Sequence, residues 1–252
     1  MPCCLSYTPT MGREHLLRGR WMSLANHFEH VDTWVFDLDN TLYPRACDLF
    51  AQMDRRMTAY VEAKLSLPFD EARKVQKEYY RDYGTTLRGL MAINKIDALE
   101  YLKFVHDIDY SPVKESPRLR AALMALPGRK LIFTNGDVPH AKRTTDRLGI
   151  TDLFEDVFDI VAADLLPKPE RSTYEKFIKQ CDVNPATAAM FEDIPRNLLV
   201  PHDMKMATVL VSDSPEGQAL QLEWEKVRLD DEHIHHRTDD LAVFLEEVLD
   251  AS

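Results

Sequence analysis

The stretch "WVFDLDNTLYP", Trp34 to Pro44, sets three β-formers directly against two carboxylates one residue apart, Asp37 and Asp39. Trp34-Val35-Phe36 has the composition of a strand buried on both faces. Two like charges at its end raise at least one pKa unless positive charge lies between them. The segment reads either as an acidic strand terminus or as a site built around a cation.

Three further apolar runs resemble it: Leu131-Ile132-Phe133, Ala188-Ala189-Met190-Phe191 and Thr208-Val209-Leu210-Val211. Leu119, Ala122, Leu123 and Leu126 share a helical face before the second run. Tyr174, Phe177, Ile178 and Cys181 follow the i, i+3, i+4, i+7 spacing before the third. Strands alternating with helices predict an α/β fold, a doubly wound Rossmann-like parallel sheet. Ligands bind beyond the carboxyl ends of strands in such sheets, and polar clusters follow the first three runs.

No strand is legible between Pro44 and Pro117. Phe50, Met53, Met57, Tyr60 and Val61 fall on one helical face, and further helix is expected around Glu71–Tyr83 and Asp97–Val105. The expected organisation is a core over 31–45 and 117–252, with an inserted all-helical cap over 46–116. A lid placed after a site can exclude water and read the substrate. Residues 1–30 are expected to be an extension, disordered or arising from a start placed too early, since Met11 and Met22 lie within it.

A net charge of -11 in 252 residues argues against nucleic acid as a partner, because phosphate-backbone binding needs a basic face. No apolar run reaches the length of a membrane span. The first residues lack the pattern of a secretory signal. Four cysteines without metal-type spacing, Cys3, Cys4, Cys47 and Cys181, suggest reduced thiols and a cytoplasmic setting.

Phosphoryl transfer to a carboxylate needs a nucleophilic Asp, a second acid for the leaving oxygen, Mg²⁺, a cation and hydrogen-bond donors. Asp37 and Asp39 could supply the first two. In "LIFTNGD", Thr134 and the Asn135 amide could donate to phosphate oxygens, with Gly136 permitting a tight turn. "LLPKPE" sets Lys168 between two prolines, and "MFEDIPRN" ends a strand in Glu192 and Asp193. Hard oxygen ligands from two strand ends suit Mg²⁺.

"FDLDNTLYP", "FTNGD", "PKP" and "FEDIPRN" together resemble the four motifs of the haloacid dehalogenase superfamily, over roughly Trp34 to Asp213. The resemblance implies that Asp37 is the nucleophile and that Asp39 is the acid and then the base, its carbonyl binding Mg²⁺. It implies that Thr134 and the Asn135 backbone bind phosphate, that Lys168 neutralises charge, and that Asp193 ligates Mg²⁺ directly and Glu192 through water. The superfamily's dehalogenases keep no acid two residues after the nucleophile, so Asp39 favours a phosphatase acting on a small phosphorylated metabolite.

"DLDNTLYP", "YGTTLRGLM" and "FTNGDVPHAKRTTDRLGI" are similar to the pyrimidine 5'-nucleotidase branch, which implies UMP or CMP as substrate. A capped phosphatase acting on a sugar phosphate or phosphoglycolate is one alternative, and a non-catalytic binding protein on the same fold is the other. Tyr83 and Arg88, with Tyr79 and Tyr80, are candidates to meet a base. The same segment also reads as a helix corner, with Gly84 as a C-cap and Thr85 or Thr86 opening the next helix.

The chain departs from the family pattern at Asn197, where another acid is common, and in "PHDMKMATVLV", which lacks the usual glycine before its strand. His140 is expected on the solvent face of a helix, with an approach to phosphate as the alternative. "HIHHR" (His233, His235, His236, Arg237) is expected to be a surface strand, with metal binding as the alternative.

Overall fold

The computed structural model describes residues 24–212 and 231–250. Cys3, Cys4, Met11 and Met22 lie outside the described residues. Six strands form one sheet: β1 (Thr33–Phe36), β2 (Arg129–Phe133), β3 (Asp156–Phe158), β4 (Ala188–Glu192), β5 (Ala207–Val211) and β6 (His236–Thr238). Their order is β3-β2-β1-β4-β5-β6, and every pairing is parallel. β1 lies between β2 and β4, with Phe36 in register with Ile132 on one side and Phe191 on the other. The strand order reverses there, so the cleft that binds ligands in such sheets opens beyond Phe36.

The two-residue period of a strand divides the core. Trp34 and Phe36 join Ile132, Phe191 and Val209 on one face, while Val35 joins Leu131, Phe133, Met190 and Phe177 on the other. The helices are α1 (Leu24–Phe28), α2 (Leu49–Leu65), α3 (Phe69–Tyr83), α4 (Thr86–Gly89) and α5 (Ala98–Val105), then α6 (Pro117–Ala125), α7 (Val138–Leu148), α8 (Arg171–Gln180), α9 (Leu199–Asp203) and α10 (Leu241–Asp250). Residues 24–28, expected to belong to an extension, instead join the core. Phe28 is buried, stacks on Trp34 at 5.9 Å and meets Phe244 edge-on at 5.8 Å. A five-residue helix is too short to show a period in the sequence.

Helices α2 to α5 share an apolar cluster of their own, including Met53, Tyr60, Val61, Leu87, Tyr101 and Val105, joined by Ile160 from beyond β3. Phe50, expected on the inward face of α2, is exposed, and its neighbour Leu49 is buried instead. The inward stripe runs through Leu49, Met53 and Tyr60, one residue out of step with Phe50. Gly84 caps α3 at φ 83°, and the Thr85 hydroxyl accepts from Arg88 N at 3.1 Å to open α4. Before β5, Lys205 takes the left-handed conformation at φ 74° that the missing glycine would adopt without strain. No helix among the described residues is long and apolar enough to cross a membrane.

Candidate active site

Asp37 N donates to Phe191 O at 2.9 Å, extending the β1–β4 ladder one residue past the strand and fixing a buried carboxylate at its end. The chain then turns. Asn40 sits at φ 60°, a conformation that Asn tolerates, and Leu42 N bonds back to Leu38 O at 3.1 Å. The turn brings the Tyr43 hydroxyl onto Asp39 Oδ1 and the Thr41 hydroxyl to 3.3 Å from Asp37 Oδ2.

Lys168 reaches this turn from the loop after β3. Its Nζ donates to Asp37 Oδ1 at 2.7 Å, Glu192 Oε1 at 2.8 Å and Phe133 O at 2.9 Å. Three acceptors match the three ammonium protons, as a lysine only 1% exposed requires. The loop is held by Asn135, whose Oδ1 accepts from Lys168 N at 2.8 Å. Asn135 thus has an anchoring task that its sequence position did not reveal. Thr134 is buried, and its Oγ1 accepts from Gly136 N at 2.9 Å. A Cβ at Gly136 would lie 3.0 Å from His140 Cδ2 and 3.3 Å from Thr134 Oγ1, so the turn favours a residue without a side chain.

Asp37, Glu192 and Asp193 each offer a carboxylate oxygen within 4.8 Å of the others, all buried. Asp193 Oδ2 receives Arg45 at 2.6 Å and Asn40 at 3.3 Å. Glu192 is more heavily engaged. Its Oε1 also accepts from Asn197 Nδ2 at 2.6 Å, and its Oε2 from Ile194 N at 2.7 Å. Asn197 Oδ1 is buried without a hydrogen-bond partner. Asp37, Glu192 and Asp193 share two cations, Lys168 and Arg45, and Asp39 adds its negative charge beside Asp37. Excess negative charge, hard oxygen donors and an orphaned acceptor fit Mg²⁺.

The electrostatics follow from burial. It pushes Asp37 up to about 7, Lys168 pulling against it and Glu192 and Asp39 adding to it. Asp193 is raised well above the carboxylate range by burial, then by Glu192 and Asp37. Burial lowers Lys168, but Asp37 and Glu192 outweigh it and the ammonium is held. At Asp39 burial acts upward, and the charge and hydrogen bonds of His140 and Tyr43 prevail, leaving the carboxylate below its ordinary value.

His140 corrects the sequence expectation. It is fully buried, with Nε2 2.8 Å from Asp39 Oδ1. Position 140 falls in the first turn of α7, whose inward face is Ala141, Thr144, Thr145 and Leu148. Two threonines mask that face in the sequence.

The candidates from the helical segment lie beside the Lys168 loop. Arg88 Nη1 is 2.6 Å from Glu170 Oε1, and a Cβ at Gly84 would lie 3.6 Å from Pro167 Cγ. Tyr83 is half-buried and meets Tyr79 edge-on at 5.9 Å. Tyr80, weighed only as one of several tyrosines, accepts from Arg196 at 2.9 Å beside the acidic pair. The histidine tract is engaged in packing. His233 Nε2 lies 2.9 Å from Pro195 O, His235 Nδ1 accepts from Thr208 N at 3.0 Å, and His236 Nε2 lies 2.6 Å from His27 Nδ1. Strand β6 starts only at His236. Among the described residues, the one group of ligating side chains close enough to share a metal is Asp37, Glu192 and Asp193.

Known proteins resemble the chain in sequence or in fold. The chain is 30% identical over 177 residues to phosphate metabolism protein 8 of Saccharomyces cerevisiae, a match over 64% of this chain and 54% of the yeast protein. The chain therefore spans about half the length of that relative. A HAD phosphatase from Thermococcus onnurineus superposes with a TM-score of 0.60 at 16% identity, over 87% of this chain and 98% of that one. A 2-haloacid dehalogenase from Pseudomonas syringae pv. Tomato does so at 0.53 and 18%, over 88% and 100%. Those two likenesses are likenesses of fold. The sequence pattern of the haloacid dehalogenase-like hydrolases matches residues 31–200, and with that match the chain belongs to this family.

Proposed function

We propose that the chain is a Mg²⁺-dependent phosphomonoesterase working through an aspartyl-phosphate. The observation that carries this reading is the second carboxylate, Asp39, held beside the Lys168-bound Asp37 but outside the cluster of candidate metal ligands. An enzyme that attacks carbon has no leaving alcohol to protonate, whereas a phosphate ester does. In the first step an Asp37 oxygen bonds to phosphorus, the bond to the ester oxygen breaks, and that oxygen takes a proton from Asp39. In the second, water attacks phosphorus and gives its proton to Asp39, and the bond to Asp37 breaks to release phosphate. Lys168 keeps its protons throughout and offsets the charge of Asp37, while Thr134 and the turn amides receive phosphate oxygens. Mg²⁺ held by Asp37, Asp193 and the Asp39 carbonyl, with Glu192 acting through water, would neutralise phosphoryl charge.

Residues 46–116 serve as the cap in this reading, supported by the Arg88–Glu170 and Tyr80–Arg196 contacts. The proposed substrates are nucleoside 5'-monophosphates, pyrimidine before purine, with Tyr83 and Arg88 facing the base. That preference rests on the similarity of "YGTTLRGLM" and its neighbours to the nucleotidase branch. A cytoplasmic setting goes with the free thiols Cys47 and Cys181.

The test is phosphate release from UMP, CMP, dTMP, AMP, GMP, phosphoglycolate and glucose 6-phosphate, with Mg²⁺ and with EDTA, and halide release from 2-chloropropionate. Hydrolysis of UMP and CMP that disappears in EDTA supports the full reading. Preference for phosphoglycolate or the sugar phosphate keeps the chemistry and discards the substrate. Halide release without phosphate release overturns both.

A further inference from the structure

We infer that His140 is a positioning residue for the acid–base carboxylate, confining the transferable proton to Asp39 Oδ2. The inference rests on the phosphatase reading above and assigns a role that reading leaves open.

The two oxygens of Asp39 have different surroundings. Oδ1 receives both the Tyr43 hydroxyl and His140 Nε2, the latter at 2.8 Å. Oδ2 lies beside the Gly136 turn, since a Cβ at Gly136 would lie 3.8 Å from it and 3.3 Å from Thr134 Oγ1. It therefore looks into the turn proposed to hold phosphate. An oxygen accepting two hydrogen bonds is a poor place for a proton, so the one that moves in each half-reaction sits on Oδ2.

His140 can hold this arrangement because it is itself held. Its Nδ1 lies 2.9 Å from the Tyr110 hydroxyl. That hydroxyl donates to His106 O at 3.0 Å, and because the Asp39 carboxylate only accepts, Nε2 carries the proton between them and donates to Asp39. The His106 ring stacks on it at 4.5 Å and 11°. His106 in turn lies 2.9 Å from Asp137, whose other task is to cap α7 through His140 N. His106 and Tyr110 follow α5, so the helical segment braces the ring from one side and α7 from the other. A histidine present only to fill space would not need its donor aimed at a reacting carboxylate.

Leaving-group chemistry separates this role from mere packing. An alkyl oxygen must be protonated as it departs, whereas p-nitrophenolate leaves without a proton. Full-length wild type, His140→Ala and His140→Gln are compared with Mg²⁺ on glycerol 2-phosphate and p-nitrophenyl phosphate, in steady state and in the first turnover. In His140→Ala, kcat on glycerol 2-phosphate is expected to fall about 10²-fold, the scale of acid–base assistance. KM should stay within about threefold. The first turnover on the aryl ester should slow far less and appear as a burst of nitrophenolate, because water activation still needs Asp39. His140→Gln, which keeps a donor at reach, should recover most of the alkyl activity. Equal losses on both esters, or no loss, would overturn the assignment. Wild type inactive on both would remove the phosphatase reading and this role with it. If His140→Ala does not fold, Tyr43→Phe, which strips the other donor from Oδ1, supports the role by the same divergence between esters and overturns it by equal losses.

Discussion

Arg88 in α4 and Glu170, two residues past Lys168, form an ion pair at 2.6 Å that ties the helical segment to the loop carrying the buried cation. Both side chains are about half in water, so the pair is worth about 0.2–1 kcal/mol. Arg88→Ala should therefore move the melting temperature little while changing the ranking of phosphomonoesters. Relative kcat/KM across the nucleotide panel, with a Mg²⁺ titration alongside, checks this. Uniform losses with a lowered Tm would show instead that Arg88 supports packing.

Asp37→Asn should abolish turnover without unfolding the protein. Burial is the largest influence on the Asp37 carboxyl and acts against its charge. A neutral Asn removes that desolvation, and Lys168 still has Glu192 and Phe133 O as partners. We expect activity below detection and a metal-free Tm equal to wild type or higher. Phosphatase activity near wild type would rule out Asp37 as nucleophile.

Lys168→Met should be the most damaging single change near the site. It leaves Asp37 and Glu192 facing each other in a buried position with their shared cation gone. Removing one partner from a buried charge group costs about 3–5 kcal/mol. Urea unfolding without metal should show a loss of that order, and a change under 1 kcal/mol would mean that water already screens the site.

Acid should weaken the β6 edge through its histidines. Burial, then His27, pushes His235 and His236 down to about 4 from an ordinary 6.5. The unfolded chain therefore takes up these protons first as pH falls. Their contribution is constant above about pH 6.5, is lost between there and about pH 4, and does not fall further below. His236→Gln should flatten the urea midpoint between about pH 7 and 5 relative to wild type. Parallel curves for the two proteins would exclude this tract as the source.

The four apolar runs read from the sequence are strands β1, β2, β4 and β5, and the motif residues gather where those strands end. Strands β3 and β6 were not legible. Each has three residues, each lies at a sheet edge, and neither Asp156-Val157-Phe158 nor His236-Arg237-Thr238 has an apolar run. The Asp39 side of the site was also hidden, because its partners come from separate elements. Tyr43 alone carried a local signal, four residues on from Asp39, where a tight turn returns it. His140 and Tyr110 meet only in the folded chain. Asn197 was legible as a departure, but its bond to Glu192 depends on the short helical turn Pro195–Leu198 that brings it back.

The central strand finds its two neighbours late, Thr33 lying beside Arg129 on one side and Ala188 on the other. On the ribosome, a nascent chain that already holds Asp37, the proposed nucleophile, should stay chemically silent until the segment through Asp193 has emerged and threaded in beside it. Hydrolysis thereby becomes a late reporter of assembly. In refolding, regained turnover should track the slowest long-range strand pairing rather than the early appearance of helix.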